Sequence, residues 1–169
     1  IVVAPSDHLI LEEKEFANVI LKALSFVGEK DVLLTLGIQP SRPETGYGYI
    51  QVDGSVDIDG ISCLRKVKTF TEKPDLDMAK IFLDSGDFFW NSGMFIWSLS
   101  SIMNAYSMFL PDMQILFGDG REFYGTPEES GFIEQIYGAC DKISIDYGIM
   151  EKATNVYVMC ADIGWSDLG

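Results

Sequence analysis

The sequence predicts an α/β domain whose sheet is mixed and mostly parallel, with an antiparallel insertion, and three observations lead there. Ile1-Val2-Val3-Ala4 reads as the end of a buried strand. An amphipathic segment follows, and Asp31 to Ile38 then runs almost continuously apolar, as a strand buried on both faces does. Strand, helix, strand in that order is a βαβ unit, which implies a parallel sheet. The third observation is the pair Tyr47 to Val52 and Ile61 to Phe70, two strand-like runs bracketing turn residues, which implies the antiparallel insertion.

Taken in order, each element has a local reason. Helix is predicted from about Leu11 to Gly28, with Phe16, Ile20, Ala23, Leu24 and Val27 on one face. Glu12, Glu13 and Glu15 sit at its positive N-terminal end, and Gly28 supplies a stop. A Gly/Pro-rich loop from Gln39 to Gly46 leads into the Tyr47 strand, and Asp53-Gly54 and Asp59-Gly60 mark the turn region. Pro74 fits the first turn of a short helix from Asp75 to Asp84. Phe88 to Trp97 is an aromatic-rich strand. Ser100 to Phe109 and Glu128 to Tyr137 are helices, the first stopped by Pro111. Asp146 to Ala153 is a short helix before the strand Val156 to Cys160.

At 169 residues the chain is of single-domain length. A chain of this size buries roughly 70% of its unfolded surface, which needs no staples. It opens inside an apolar strand without an initiator Met, so the expectation is a partial domain, 1–169, incomplete at its N-terminus. Such a truncation would leave the Ile1–Ala4 strand short of a neighbour, exposing apolar surface that favours a homo-oligomer.

Composition excludes several functions. Apolar residues make up 47% and charged residues 22%, with no run near the ~20 residues a membrane span needs. Asp and Glu number 26 against 12 Lys and Arg, a net charge of −14, and no basic run exists to displace counterions from nucleic acid or bind an anionic lipid surface. A phosphate-bearing ligand would need a metal ion, a Lys or backbone N–H groups. Cys63, Cys140 and Cys160 are odd in number and lack metal-ligand spacing, which points to reduced thiols in a cytoplasmic protein.

Five polar segments are candidates for chemistry. Asp7 follows a buried strand, where α/β sheets collect ligands and a carboxylate can hold a metal. As a residue type alone it reads more readily as a cap for the following helix. His8, the single histidine, reads as a packing or hydrogen-bonding residue. Asp167 lies between Gly164 and Gly169, and with Asp7 it suits magnesium, which takes one or two protein carboxylates; a simple Asp turn is the alternative. Glu44-Thr45-Gly46-Tyr47-Gly48-Tyr49 offers either backbone N–H groups to an anion or a plain glycine turn. Glu72-Lys73-Pro74 pairs an acid and a base at a strand end, where such pairs are often inert. Trp90-Asn91-Ser92-Gly93-Met94-Phe95 interrupts a strand with Asn-Ser-Gly, a mark of close ligand approach.

Pro5-Ser6-Asp7-His8, Thr35 to Pro40 running into Pro43-Glu44-Thr45-Gly46-Tyr47-Gly48-Tyr49-Ile50, Phe70-Thr71-Glu72-Lys73-Pro74, Trp90 to Phe95, Ser144-Ile145-Asp146-Tyr147-Gly148-Ile149-Met150-Glu151-Lys152 and Gly164 to Gly169 come in one order. Together they resemble the mannose-1-phosphate guanylyltransferases of the sugar nucleotidyltransferase family, over essentially the whole chain. The resemblance implies a Rossmann-like nucleotidyltransferase fold, transfer of GMP from GTP to mannose 1-phosphate, and Mg2+ as cofactor. It implies Asp7 and Asp167 as metal ligands, and Glu72 and Lys73 on the sugar and its phosphate, with Asp7, Lys73 and Asp167 as the catalytic set. Gly48, Asn91, Asp146 and Lys152 are implied as further substrate-binding positions. The family's upstream glycine-rich segment, which holds the nucleotide, has no match here, so the 169-residue chain alone is expected to be inactive. Two other readings stand beside this one: a nucleotidyltransferase for another hexose 1-phosphate, and a non-catalytic phosphosugar-binding domain.

Overall fold

The structure, a computed structural model, describes residues 1–53, 58 and 60–169. Two short strands, β1 (Val2–Val3) and β2 (His8–Ile10), precede helix α1 (Glu13–Glu29). Strands β3 (Leu33–Ile38), β4 (Tyr49–Val52) and β5 (Leu64–Thr71) follow, then α2 (Leu76–Ser85) and the long strand β6 (Phe88–Trp97). Helices α3 (Leu99–Phe109), α4 (Pro111–Gly118) and α5 (Glu129–Ala139) lead to a π-helical turn, Asp146–Met150. Strands β7 (Val156–Ala161) and β8 (Trp165–Asp167) close the chain.

The main sheet has the order β1-β6-β3-β7-β5-β4, and β4 also pairs with β6, so the pairings from β6 through β3, β7, β5 and β4 return to β6. The α/β class is as expected, but the balance of strand directions is reversed. Only β3–β7 is a parallel pair; β1–β6, β3–β6, β4–β5, β4–β6 and β5–β7 are antiparallel. The reason lies in β6. Both β1 and β3 run antiparallel to it, so they do point the same way as the βαβ pattern implies. A strand from much later in the chain has entered between them and taken their hydrogen bonds. Local pattern carries direction but not neighbour.

Alternation along β3 divides the core. Leu34 and Leu36 face α1, packing with Val19, Ala23, Phe26 and Val27, while Leu33 faces α3 and the π-helical turn with Phe95, Trp97, Ile102, Ile149 and Met150. Fully burying a side chain of this kind stabilises the fold by roughly 1.5–3 kcal/mol. The buried stripe of α1 is therefore Val19, Ala23, Phe26 and Val27, with Phe16 and Ile20 at its margin, and Leu24 turns outward. A third cluster, Tyr49, Ala79, Phe82, Phe88 and Trp90, seats α2.

Several boundaries differ from expectation for identifiable reasons. The helix does not begin at Leu11, because His8–Ile10 pairs as a strand with Trp165–Asp167. Pro111 opens α4 as well as following α3: at the first helical position its missing N–H costs nothing. Asp146–Met150 winds as a π-turn instead of a regular helix. Within the Asp53-Gly54 and Asp59-Gly60 turn region, Gly54 and Asp59 lie outside the described residues. Ile1, Val2 and Val3 are exposed, not buried, because β1 has β6 on one side and no second strand partner among the described residues.

Candidate functional site

Two carboxylates meet where β2 and β8 pair. The register sets His8 opposite Asp167, Leu9 opposite Ser166 and Ile10 opposite Trp165, and the Leu168 N–H donates to the Asp7 carbonyl at 3.0 Å. Asp7 and Asp167 thereby stand side by side although 160 positions separate them. One ligand atom from each of Asp7, His8 and Asp167 lies within 4.8 Å of the others. The Gly169 N–H donates to Asp167 Oδ1 at 3.0 Å, the Asp turn expected as the alternative, and a Cβ at Gly169 would sit 2.6 Å from Asp7 Oδ2, so a side chain there would displace the Asp7 carboxylate. Asp7 caps no helix, since α1 starts at Glu13 with Glu12 before it.

His8 is not equivalent to the two aspartates. Its Nδ1 accepts a hydrogen bond from Trp165 Nε1 at 3.1 Å, and the two rings meet edge to face. That bond occupies the one free lone pair of a neutral imidazole, leaving Nε2–H a donor. The members of the trio with oxygen atoms to offer a cation are therefore the two carboxylates, a donor set that would suit a hard divalent ion.

A second polar group is assembled by register in the main sheet. Ile38 pairs with Trp90, Trp90 with Tyr49 and Tyr49 with Thr71, so one row crosses four strands. Gly48, Asn91 and Glu72 each adjoin a member of that row, and the Asn91 N–H donates to the Gly48 carbonyl at 2.8 Å. A Cβ on Gly48 would collide with Glu72 Oε2, so glycine is what lets this carboxylate lie over the β4 backbone. Asn91 Nδ2 donates to Asp146 Oδ1 at 3.0 Å, which ties the π-helical turn to β6. Lys73 Nζ stands 3.6 Å from Glu72 Oε1. Lys73 also holds φ at 45°, a left-handed conformation that costs a non-glycine residue about 1–2 kcal/mol and collects at functional sites.

Charge in this group is unbalanced. The Glu72 side chain is only 12% exposed, while Lys73 is 62% exposed. Burial pushes the Glu72 carboxyl up and the charge of Asp146 adds to it, against a lowering by Lys73. Burial likewise raises Asp146, partly offset by a backbone hydrogen bond and by Asn91. Glu151 joins them: burial raises it, a backbone hydrogen bond at Glu72 offsets part of that, and Asp146 raises it again. Three partly desolvated carboxyls beside one exposed ammonium offer acceptors for hydroxyl groups and a cation for an anionic group. Glu151 was missed in the sequence, where its only signal was a place inside the Asp146–Lys152 segment.

The remaining candidates fall outside the two groups. Lys152 is exposed, and its side chain has no hydrogen bond or ion pair among the described residues. The Glu44 carboxylate accepts the Thr45 and Gly46 N–H groups at 3.0 and 3.1 Å, occupying the place an anion would take, so this segment is a glycine turn. Aromatic contacts bridge the groups: Tyr47 packs against Trp90 and Trp165, each at about 5 Å between ring centres. A separate cavity of about 1080 Å³ lies between α3, α4 and α5, lined by Tyr106, Phe117, Tyr124 and Tyr137, and contains none of these acids.

Comparison with known proteins places these features in a wider set. The Nucleotidyl transferase family profile matches residues 1–169. A mannose-1-phosphate guanylyltransferase of Escherichia coli is 35% identical over 99% of this chain and 36% of its own length. One from Sinorhizobium fredii (strain NBRC 101917 / NGR234) is 36% identical over 100% of this chain and 32% of its own. The chain thus spans about a third of the curated relatives it matches. A solved mannose-1-phosphate geranyltransferase from Thermus thermophilus superposes with a TM-score of 0.83 at 29% identity, covering 98% of this chain and 45% of that one. A mannose-6-phosphate isomerase from Helicobacter pylori gives 0.79 at 28% identity, over 98% and 63%.

Proposed function

Because this chain belongs to the Nucleotidyl transferase family, we propose that the protein carrying it transfers GMP from GTP to mannose 1-phosphate, forming GDP-mannose and pyrophosphate. The observation that carries the proposal is the juxtaposition of Asp7 and Asp167, a pair made by the β2–β8 register. In this reading the two aspartates hold Mg2+, which when bound neutralises charge on the nucleotide's phosphates. Glu72 and Asp146 accept hydrogen bonds from sugar hydroxyls, and the Lys73 ammonium, free to swing at the surface, meets the sugar phosphate. Gly48 leaves room for the Glu72 carboxylate over the β4 backbone, and Asn91 fixes Asp146.

The chemistry asks little else of the protein. A phosphate oxygen of mannose 1-phosphate, anionic at neutral pH, attacks the α-phosphorus of GTP. The bond to the β-phosphate's bridging oxygen breaks, and pyrophosphate leaves. No general base is required, so the residues act by in-line positioning and charge stabilisation. Three unpaired thiols support a cytoplasmic setting.

The test uses the full polypeptide that carries this chain, with GTP, Mg2+ and a panel of hexose 1-phosphates. Pyrophosphate release is expected with mannose 1-phosphate, reduced at least ~100-fold by Asp167→Asn, as loss of a charge-stabilising group costs. Preference for glucose or N-acetylglucosamine 1-phosphate would move the protein to a sister specificity. Binding without release would make it a phosphosugar-binding domain.

A further inference from the structure

Thr35 lies at the centre of β3, fully buried, on the face turned toward the π-helical turn. A buried hydroxyl must be hydrogen-bonded, and the single proton of this one is shared between two acceptors, Asn91 Oδ1 at 2.9 Å and the Met94 carbonyl at 3.0 Å. The closeness results from an irregularity in β6. Thr35 pairs with Phe95 and Gly37 with Asn91, so two steps along β3 match four along β6. Gly93, at φ 71°, and Ser92, whose Oγ donates to the Leu36 carbonyl at 2.9 Å, absorb the extra residues. The bulge brings the Asn91 side chain back over Thr35.

An asparagine amide has two ends of similar size and opposite hydrogen-bonding sense, and its neighbours decide which way it faces. Asn91 Oδ1 faces two donors, the Thr35 hydroxyl and the Gly93 N–H, the latter at 3.3 Å. Nδ2 is thereby directed at Asp146 Oδ1 at 3.0 Å. Reversed, the amide would set its oxygen against the Asp146 carboxylate, and the Gly93 N–H would lose its acceptor. Thr35 hydrogen-bonds to Asn91 and Met94 and not to Glu72, Lys73 or Asp146 among the described residues, yet the chain Thr35–Asn91–Asp146 runs from the core to the carboxyl cluster.

We propose that Thr35 is a positioning residue of the phosphosugar pocket: its hydroxyl fixes the Asn91 amide, which holds Asp146 in place to accept a hexose hydroxyl. This rests on the proposed function for what the pocket binds, while the orientation of Asn91 stands on the buried geometry alone.

The test compares Thr35→Val, which keeps the shape and removes the hydroxyl, with Thr35→Ser, which keeps the hydroxyl, in the full polypeptide. In T35V the KM for mannose 1-phosphate should rise about tenfold, the size of one lost buried hydrogen bond, with the KM for GTP unchanged. T35S should stay near the parent value, and in an Asn91→Ala background T35V should add nothing further. The second readout needs no sugar: the carbon-13 resonance of the Asp146 carboxyl should titrate at higher pH in T35V and not in T35S, with Glu72, Lys73 and Glu151 intact around it. A folded T35V with an unchanged Asp146 titration overturns the proposal, as does full additivity with Asn91→Ala. If the Asp146 shift appears but mannose 1-phosphate does not bind, the positioning role stands and the sugar reading falls. Thr35→Cys, with a weaker hydrogen-bonding group, replaces T35V if the valine variant does not fold.

Discussion

Glu72 and Asp146 carry their charges against the interest of the fold. Each holds its proton more tightly in the folded chain, through burial and, for Glu72, the charge of Asp146. Their unfolded values are near ~4, so between there and the raised folded values the native state binds more protons than the unfolded one. Stability from these groups is therefore present at low pH and falls as pH rises through that window. Glu72→Gln removes the penalty: its Tm should exceed the parent's at pH 7, and the gain should shrink toward pH 4, followed by thermal melts across pH. The same variant should bind mannose 1-phosphate more weakly, the usual exchange between stability and function at a site. An equal Tm at pH 7 would show that solvent screens the pair. Residue type made Glu72, Lys73 and Asn91 visible as candidates. The buried environment that raises the Glu72 carboxyl was not visible, because part of it is Asp146 from a different part of the chain.

Elements were legible where a short-range cause fixes them. Asp75 at the N-cap of α2 accepts the Met78 N–H at 2.8 Å, and Gly86 ends the helix in the left-handed conformation at φ 76°. Asp75→Ala should cost about 1 kcal/mol. For a domain of this size that lowers Tm by roughly 2–4 °C, read by calorimetry, with no effect on ligand affinity. A loss of affinity instead would tie α2 to the site through the Tyr49, Phe82 and Trp90 cluster. Elements whose cause is long-range were not legible. His8-Leu9-Ile10 has no strand signature of its own and becomes a strand only because Trp165–Asp167 lies beside it. The bulge at Gly93 is foreshadowed by Asn-Ser-Gly inside an aromatic strand, but its consequence, the return of Asn91 toward Thr35, needs the β3–β6 register.

At the scale of the whole molecule, a net charge of −14 attracts cations without specificity, and specific binding must be separated from that background. At matched ionic strength, Mg2+ or Mn2+ should raise the Tm of the parent chain, by an amount equivalent to ~2.7 kcal/mol at a hundred times the dissociation constant. Asp7→Asn and Asp167→Asn should each abolish the metal-specific part, and His8→Gln should leave it, since its lone pair is already engaged by Trp165. An unchanged shift in Asp167→Asn would remove the carboxylate pair as the metal site. By itself, the sequence determined the α/β class, the burial of the Asp31 to Ile38 strand on both faces, and the residue types able to meet a metal, a sugar and a phosphate, because each is written in residue chemistry and short-range pattern. Only the tertiary structure decided that β6 separates β1 from β3, that Asp7 meets Asp167, and that Glu151 rather than Lys152 joins the carboxyl cluster. Pairing between distant strands is chosen by the summed fit of side chains across the whole sheet, and no local stretch of sequence contains that sum.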